Sequence, residues 1–367
     1  MQHTRRDAMR LFSAATASTA LAAAGLSALA GVAHGRAPAT GKAATTPQPV
    51  SPQPAPPQSA PLQSAPPEPG VQSLRDLASA PGHTMPASAE AMFSISLAQW
   101  SLHKELYAGK LKHLDFPALA KSEFDITAVE YVNSFFEQKQ SADYNKQLRQ
   151  RCDDAGVTSV LIMCDGEGDL GDPDAAKRST AAANHQKWLD AAAALGCHSI
   201  RVNAASRGTF AEQQRLAADG LTALCRLAEP LKLGVIVENH GGFSSDGKWL
   251  AGVMKLSGHR LLGTLPDFGN FNISQTQSYD RYLGTSELMP FAKGVSAKSH
   301  DFDAATGQEA TKDYARLLRI VYRAGYRAAI GIEYEGGKTA EREGIKLTKS
   351  LLEKTRAALF AELTAKG

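Results

Sequence analysis

From residue 92 onward, short apolar runs alternate with longer amphipathic stretches. The runs are 93–100 (FSISLAQW), 126–132 (ITAVEYV), 156–163 (GVTSVLIM), 198–203 (HSIRVN), 233–239 (LGVIVEN), 261–267 (LLGTLPD), 292–298 (AKGVSAK) and 328–334 (AAIGIEY). In 233–239, Val and Ile occupy consecutive positions, so both faces of the pleat are apolar, as in a parallel strand covered on both sides. The intervening stretches read as helices. Asp172 is the expected N-cap of one, with Pro173 opening the run to Gly196, and 311–325 (TKDYARLLRIVYRAG) closes on Gly325. Eight strand-then-helix units over about 270 residues predict an α/β fold, a TIM (β/α)8 barrel spanning 92–360. A doubly wound sheet is disfavoured, because no Gly-rich phosphate fingerprint follows the first run.

Residues before 92 follow other rules. Arg5 and Arg6 precede a long Ala/Leu/Ser/Gly segment that ends in small residues near Ala33 and Gly35, the layout of a twin-arginine-type export signal over 1–36. An uncleaved membrane anchor is the alternative, although Ala, Ser and Gly insert weakly. Residues 37–70 hold 11 of the 18 prolines and repeat QSAP at 58–61 and 63–66, so 37–91 is expected to be a solvated tether. Of the formal charge of +3, the first ten residues carry +2, which leaves no basic stripe for nucleic acid. The expectation is an exported, periplasmic protein with no stable membrane insertion after processing; homo-oligomerisation stays open. Cys152, Cys164, Cys197 and Cys225 fall on separate elements and are expected to be free thiols.

In a TIM barrel, function gathers at the carboxyl ends of the strands. Standing there are Trp100 and His103, Glu130 and Asn133, Asp165, Asn203, Glu238 and His240, Asp267, Lys298 and His300, and Glu333 and Glu335. Glu238, Asp267 and Glu333 end the fifth, sixth and eighth runs. Three carboxylates around one narrow mouth repel one another unless a cation neutralises them. An oxygen-rich donor set favours Mn2+ or Mg2+ ahead of Zn2+ or Co2+.

VENHGG at 237–242, LPDFGN at 265–270 and IGIEYEG at 330–336, with IRVN at 200–203, resemble the sugar phosphate isomerase/epimerase family, the xylose isomerase-like TIM barrels. The resemblance covers about residues 92–360. It implies a divalent ion held by Glu238, Asp267 and Glu333, together with a His on strand 7. There the chain departs from the pattern: Ser296 stands at the family's His position, two residues before Lys298. His300 shares the pleat parity of Ser296 and Lys298 and is taken as the fourth ligand; in the alternative, water completes the site and Lys298 meets substrate oxygens. Asn270 is a second departure, standing where many sugar epimerases of this family carry a substrate-binding His.

The implied chemistry is proton transfer beside a carbonyl through an enediolate, with Glu238, Glu333 and Lys298 as catalytic groups. Trp100, His103, Asn203, His240 and Asn270 are the expected substrate contacts. The leading expectation is a metal-dependent isomerase or epimerase of a non-phosphorylated sugar or keto-sugar. The same site acting as a lyase or hydratase on 3-keto-glycosides, or a non-catalytic sugar-binding barrel, are the alternatives. A metal-dependent phosphodiesterase of similar fold would need more His ligands and a basic DNA face.

Overall fold

The computed structural model describes residues 74–78, 83–136 and 141–365. The expected signal over 1–36 and the tether up to residue 73 lie outside the described residues. Eight parallel strands form one sheet: β1 Ser94–Ala98, β2 Ala128–Val132, β3 Thr158–Met163, β4 Ser199–Val202, β5 Gly234–Glu238, β6 Leu262–Leu265, β7 Val295–Ser299 and β8 Ala329–Tyr334. Continuous ladders run in the order β6-β5-β4-β3-β2-β1-β8-β7. β6 and β7 meet through two isolated parallel bridges, Thr264 with Ala292 and Asp267 with Ser296. Across this seam Lys293 N donates to Thr264 O (3.0 Å), Ser296 N to Pro266 O (2.9 Å) and Phe268 N to Ser296 O (3.0 Å). These contacts complete the TIM barrel expected from the eight runs.

Seven of the strands lie inside their predicted runs, and β7 extends one residue past its run, to Ser299. β5 is buried at every position, as the unbroken Val/Ile pattern requires. The main core fills the space between sheet and helices, whereas the barrel interior holds a small apolar cluster of Ala98, Val132, Leu161, Met163, Ile236 and Leu265. Above and beside that cluster the interior is polar, because inward positions carry Ser96, Glu130, Arg201, Glu238, Ser296, Lys298 and Glu333, all buried.

Two helix boundaries differ from expectation. Asp174, not Asp172, caps the helix Ala175–Asn184, accepting from the backbone N–H groups of Ala176 and Lys177. Asp172 instead accepts from Asp174 N at 2.8 Å, an Asx-type turn just before the helix. The stretch then divides at His185 into a second helix, Gln186–Leu195, which ends at Gly196 with φ 76°. The helix Tyr314–Arg323 has Asp313 as its cap, and Gly325 follows it with φ 83°, in the left-handed region that glycine adopts without strain.

Packing also begins earlier than residue 92. Leu74, at the start of the short helix Arg75–Ala78, is fully buried, and its N–H donates to Glu362 Oε1 at 2.7 Å. Asp76 pairs with Arg323 at 2.9 Å, and the His83 ring stands edge-on to Tyr322 with centroids 5.9 Å apart. Proline content flagged the region as apolar-poor, and a single buried leucine is invisible to such an average.

Leu74 therefore carries the test. Leu74→Ala is expected to cost about 2–5 kcal/mol, the usual range for truncating a buried leucine, measured by chemical denaturation. Deleting residues 1–82 is expected to lower the melting temperature relative to deleting 1–73; equal values would show that this docking is idle.

Candidate metal and active site

The site is assembled from inward positions at the carboxyl ends of β4 to β8. Glu238 and Asp267 are 0% exposed and Glu333 is 3% exposed. Each offers one carboxylate oxygen within 4.8 Å of the others, the one such cluster among the described residues. Parallel pairing brings Lys298 beside Glu333 and Ser296 beside Gly331. Asn239, itself fully buried, fastens β5 to β6: its Oδ1 accepts from Asp267 N (2.7 Å) and its Nδ2 donates to Asp267 O (3.0 Å). Asp267 Oδ1 then accepts from the N–H groups of Gly269 (2.7 Å) and Asn270 (2.8 Å), which orients the carboxylate inward.

Two buried cations balance part of this charge. Arg201 on β4 grips Glu238 Oε2 through Nε and Nη2, and its Nη1 reaches Asp165 Oδ1 at 2.7 Å. Lys298 Nζ lies 3.0 Å from Glu333 Oε1 and 2.9 Å from Glu335 Oε2. Ser296 Oγ stands 2.6 Å from Asp267 Oδ2 and 3.0 Å from Glu333 Oε2. One hydroxyl proton cannot satisfy both carboxylates, so the second contact calls for a proton on a carboxyl.

The electrostatics agree with that count. Burial, reinforced by Glu238 and Glu333 and only partly opposed by Lys298, pushes the Asp267 carboxyl up to about 7. Burial also raises Glu333 despite Lys298. For Glu238 the burial penalty is outweighed by Arg201, with His240 and Lys298 adding to it, and the carboxyl is held below its ordinary range. Glu335 is likewise penalised by burial but is held at about 2 by Lys298 and by the Trp100 indole N–H. A fourth interior carboxyl, Glu130, is pushed up to about 7 by burial. Ser96 donates to it at 2.5 Å, and it has room only because residue 331 is glycine, where a Cβ would lie 2.5 Å from Glu130 Oε1.

Three hard carboxylate oxygens, two of them on carboxyls shifted upward by burial and by the neighbouring carboxylates, fit a hard divalent cation. Glu238, Asp267 and Glu333 would hold it, with the Ser296 hydroxyl adjoining.

The other predicted residues divide into those at the cluster and those away from it. Asn270 donates to Glu238 Oε1 at 2.7 Å, so it supports a cluster carboxylate and is not freely presented to substrate. Trp100 is fixed by its indole N–H on Glu335 Oε1, and His103 stacks on it with centroids 4.7 Å apart. His103 Nδ1 also meets Trp100 O (2.8 Å) and lies 3.3 Å from Glu341. Asn203 donates to Asp165 Oδ1 at 2.6 Å, and His240 is exposed on the loop after β5.

His300 is the residue the structure does not bring to the cluster. Its Nδ1 lies 3.0 Å from Lys312 Nζ, whose other strong contact is Glu309 Oε1 at 2.7 Å. An ammonium only donates, so Nδ1 must be the acceptor and the ring proton sits on Nε2. Both nitrogens are then occupied, one by a donor and one by its own proton, which is the wrong state for a metal ligand. Pleat parity does not carry to His300, because β7 ends at Ser299 and the alternation of faces holds only along the paired strand.

Arg201 and Ser296 were missed as site residues. A signal existed for Arg201: a charged residue inside a strand of a covered sheet demands a buried partner. All four cysteines are free, as expected, and all four are buried.

Two outcomes follow for metal binding. Mn2+ affinity is expected to fall as the pH is lowered through about 7, because Asp267 must shed its proton to become a ligand, which titration calorimetry at pH 6 and 8 would resolve. His300→Ala is expected to leave Mn2+ affinity within about twofold of the parent; a loss of about tenfold or more, the size seen for supporting residues of metal sites, would return His300 to the ligand set.

The model of the family described as "Xylose isomerase-like TIM barrel" matches residues 116–351. No curated protein is significantly similar to the chain. Among solved structures, the chain resembles an L-ribulose 3-epimerase, at 13% identity and a TM-score of 0.57, over 74% of this chain and 98% of that one. It also resembles a xylose isomerase-like TIM barrel protein from Mycobacterium smegmatis in complex with magnesium, at 14% identity and 0.56, over 75% and 99%. A sugar phosphate isomerase/epimerase from Parabacteroides distasonis is similar at 14% identity and 0.56, over 73% and 94%. With the family model covering well over half of its length, the barrel built around Glu238, Asp267 and Glu333 identifies the chain as a member of the xylose isomerase-like TIM barrel family.

Proposed function

We propose that the protein is a divalent-metal-dependent isomerase or epimerase acting on a non-phosphorylated sugar or keto-sugar. The observation that carries this reading is the buried triad of Glu238, Asp267 and Glu333, with a raised carboxyl on Glu333 and the Lys298 ammonium beside it. Solved neighbours named as epimerases and isomerases, one of them with magnesium, support it. A divalent ion, when bound, would polarise a carbonyl and make the adjacent C–H more acidic.

The chain's own groups then take distinct parts. Glu333 is the better proton acceptor, since a carboxylate with a raised pKa is a stronger base near neutral pH. Glu238, tied to Arg201 and held ionised, is the weaker base and mainly a ligand. Asp267 is a ligand alone, both of its oxygens being committed to backbone N–H groups or Ser296. Lys298 can hydrogen-bond a substrate oxygen that gains negative charge as the proton leaves. Both cations of the cluster are engaged by carboxylates, so a phosphate ester would meet net negative charge, which favours an uncharged sugar. The same proton abstraction on a 3-keto-glycoside leads to elimination, and the products separate that outcome from epimerisation. Export is proposed alongside, supported by Arg5-Arg6 and the apolar segment after them; among the described residues no helix is long and apolar enough to cross a membrane.

The test is deuterium uptake at carbon, with Mn2+-loaded protein in D2O and a panel of aldoses, ketoses and 3-keto-glycosides. At saturating Mn2+, Glu333→Gln is expected to fold and bind sugar yet lose exchange by about 10²–10⁴, the usual cost of removing a general base. Asp267→Asn is expected to recover substantially with excess metal. Equal recovery of Glu333→Gln, Glu238→Gln and Asp267→Asn would make the acids ligands only; no change in metal binding in any of them would make the cluster structural and end the isomerase reading.

A further inference from the structure

A cavity of about 230 Å3 opens beside the site, between the loops that follow β4 and β5. Its polar lining comes from Asn203, Ser206, Gln213 and His240, and its apolar wall from Phe243 and Trp249. The wall is rigid. Trp249 is fully buried with its indole N–H on Phe210 O at 3.0 Å, Phe243 lies nearly parallel to it with centroids 6.4 Å apart, and Phe210 meets Phe243 edge-on at 5.3 Å. Gly241, with φ 76°, lies in the β5 loop where it lines the cavity.

The cavity is joined to the triad through side chains already described. Asn203 Nδ2 holds Asp165, Asp165 holds Arg201, and Arg201 holds Glu238. His240 lies two residues beyond Glu238 on the same chain segment. Asn203 Oδ1 is buried without a hydrogen-bond partner, an acceptor whose desolvation is compensated only if something donates to it.

The lining chemistry narrows the occupant. Apart from His240 no lining side chain ionises, so neither a phosphate nor a carboxylate finds a counter-charge there. Small neutral hydrogen-bonding groups facing a fixed aromatic wall suit a hydroxyl-bearing ring, whose C–H face packs on the aromatic while its hydroxyls meet the amides. Size agrees: the space exceeds several waters at about 30 Å3 each, yet falls short of the 300–1,000 Å3 typical of sites for larger ligands. One sugar ring fits that interval, and a longer oligosaccharide does not.

We infer that this cavity is a second sugar subsite, so that the substrate is a disaccharide or glycoside whose reacting ring lies over Glu238, Asp267 and Glu333 while the ring linked to it occupies the cavity. The inference rests on the reading given under Proposed function for the reacting ring. In it Asn203 Oδ1 accepts from a hydroxyl of the second ring, and Phe243 supplies the platform.

Calorimetry on the full chain with Mn2+ tests it, using maltose, cellobiose, lactose and sucrose against glucose, galactose and fructose. At least one disaccharide is expected to bind about tenfold more tightly than either of its component sugars, the margin that about 1.4 kcal/mol of added contact provides. Ala205 is exposed and lines the cavity, so Ala205→Trp fills it without touching the triad. That variant is expected to erase the margin while leaving Mn2+ affinity, monosaccharide affinity and melting temperature unchanged, and Phe243→Ala is expected to reduce it. The inference is overturned if no disaccharide exceeds its component sugars, or if the margin survives in both variants. Deuterium exchange, measured in parallel, separates the two readings: a missing margin with exchange intact removes the subsite alone, whereas a margin without exchange on any sugar removes the isomerase reading and leaves the subsite.

Discussion

Ionised groups inside the barrel must find partners there, and this constraint organises the upper half of the molecule. Asp165, Glu238, Asp267, Glu333 and Glu335 face two cations, Arg201 and Lys298. Removing one partner of such a buried pair typically costs about 3–5 kcal/mol, because the other charge is left without solvent or counter-ion. Carboxylates still outnumber cations, and burial together with that excess shifts Asp267 and Glu333 upward. A site short of positive charge in this way is poised to take up protons or a divalent ion, and the two compete for the same oxygens.

The geometry that makes this arrangement possible is mostly backbone. Parallel register sets Lys298 against Glu333, and the β6–β7 seam, closed by isolated bridges instead of a full ladder, brings Asp267 level with Ser296. A register shift between Val129 and Glu130 accompanies the inward placement of Glu130, whose carboxyl fits only against a glycine at 331. Side chains on β4, β5, β7 and β8 thus converge with Asp267, which is held just past β6 by Asn239 and by the N–H groups of Gly269 and Asn270, and convergence from rigid elements holds charges closer together than mobile loops could.

Strand 7 shows how a departure from the family pattern is absorbed. Where an imidazole is usual, Ser296 provides a short hydroxyl shared by two carboxylates, and Lys298 takes over part of the charge neutralisation. His300 lies beyond the strand end and is engaged by the Glu309–Lys312 pair. The groups the cluster would offer a cation are therefore all oxygen, a chemistry that would suit a hard one.

Fold class and the triad were legible in the chain itself. Apolar runs of strand length, separated by amphipathic stretches, encode a barrel because runs too short for a core helix and apolar on both faces suit parallel strands covered on both sides, and Glu238, Asp267 and Glu333 stand out because carboxylates end runs that otherwise tolerate no charge. Partnership was not legible. That Arg201 clamps Glu238, that Asn270 supports it, that Ser296 bridges two carboxylates and that Lys312 occupies His300 are contacts between residues 12 to 37 positions apart. Such contacts depend on strand register and on the path of loops past the last ladder bond, where neither periodicity nor parity applies. Local pattern determined which side chains point inward; only the closed barrel decided which of them meet, because distance across a barrel is set by the sheet and not by separation along the chain.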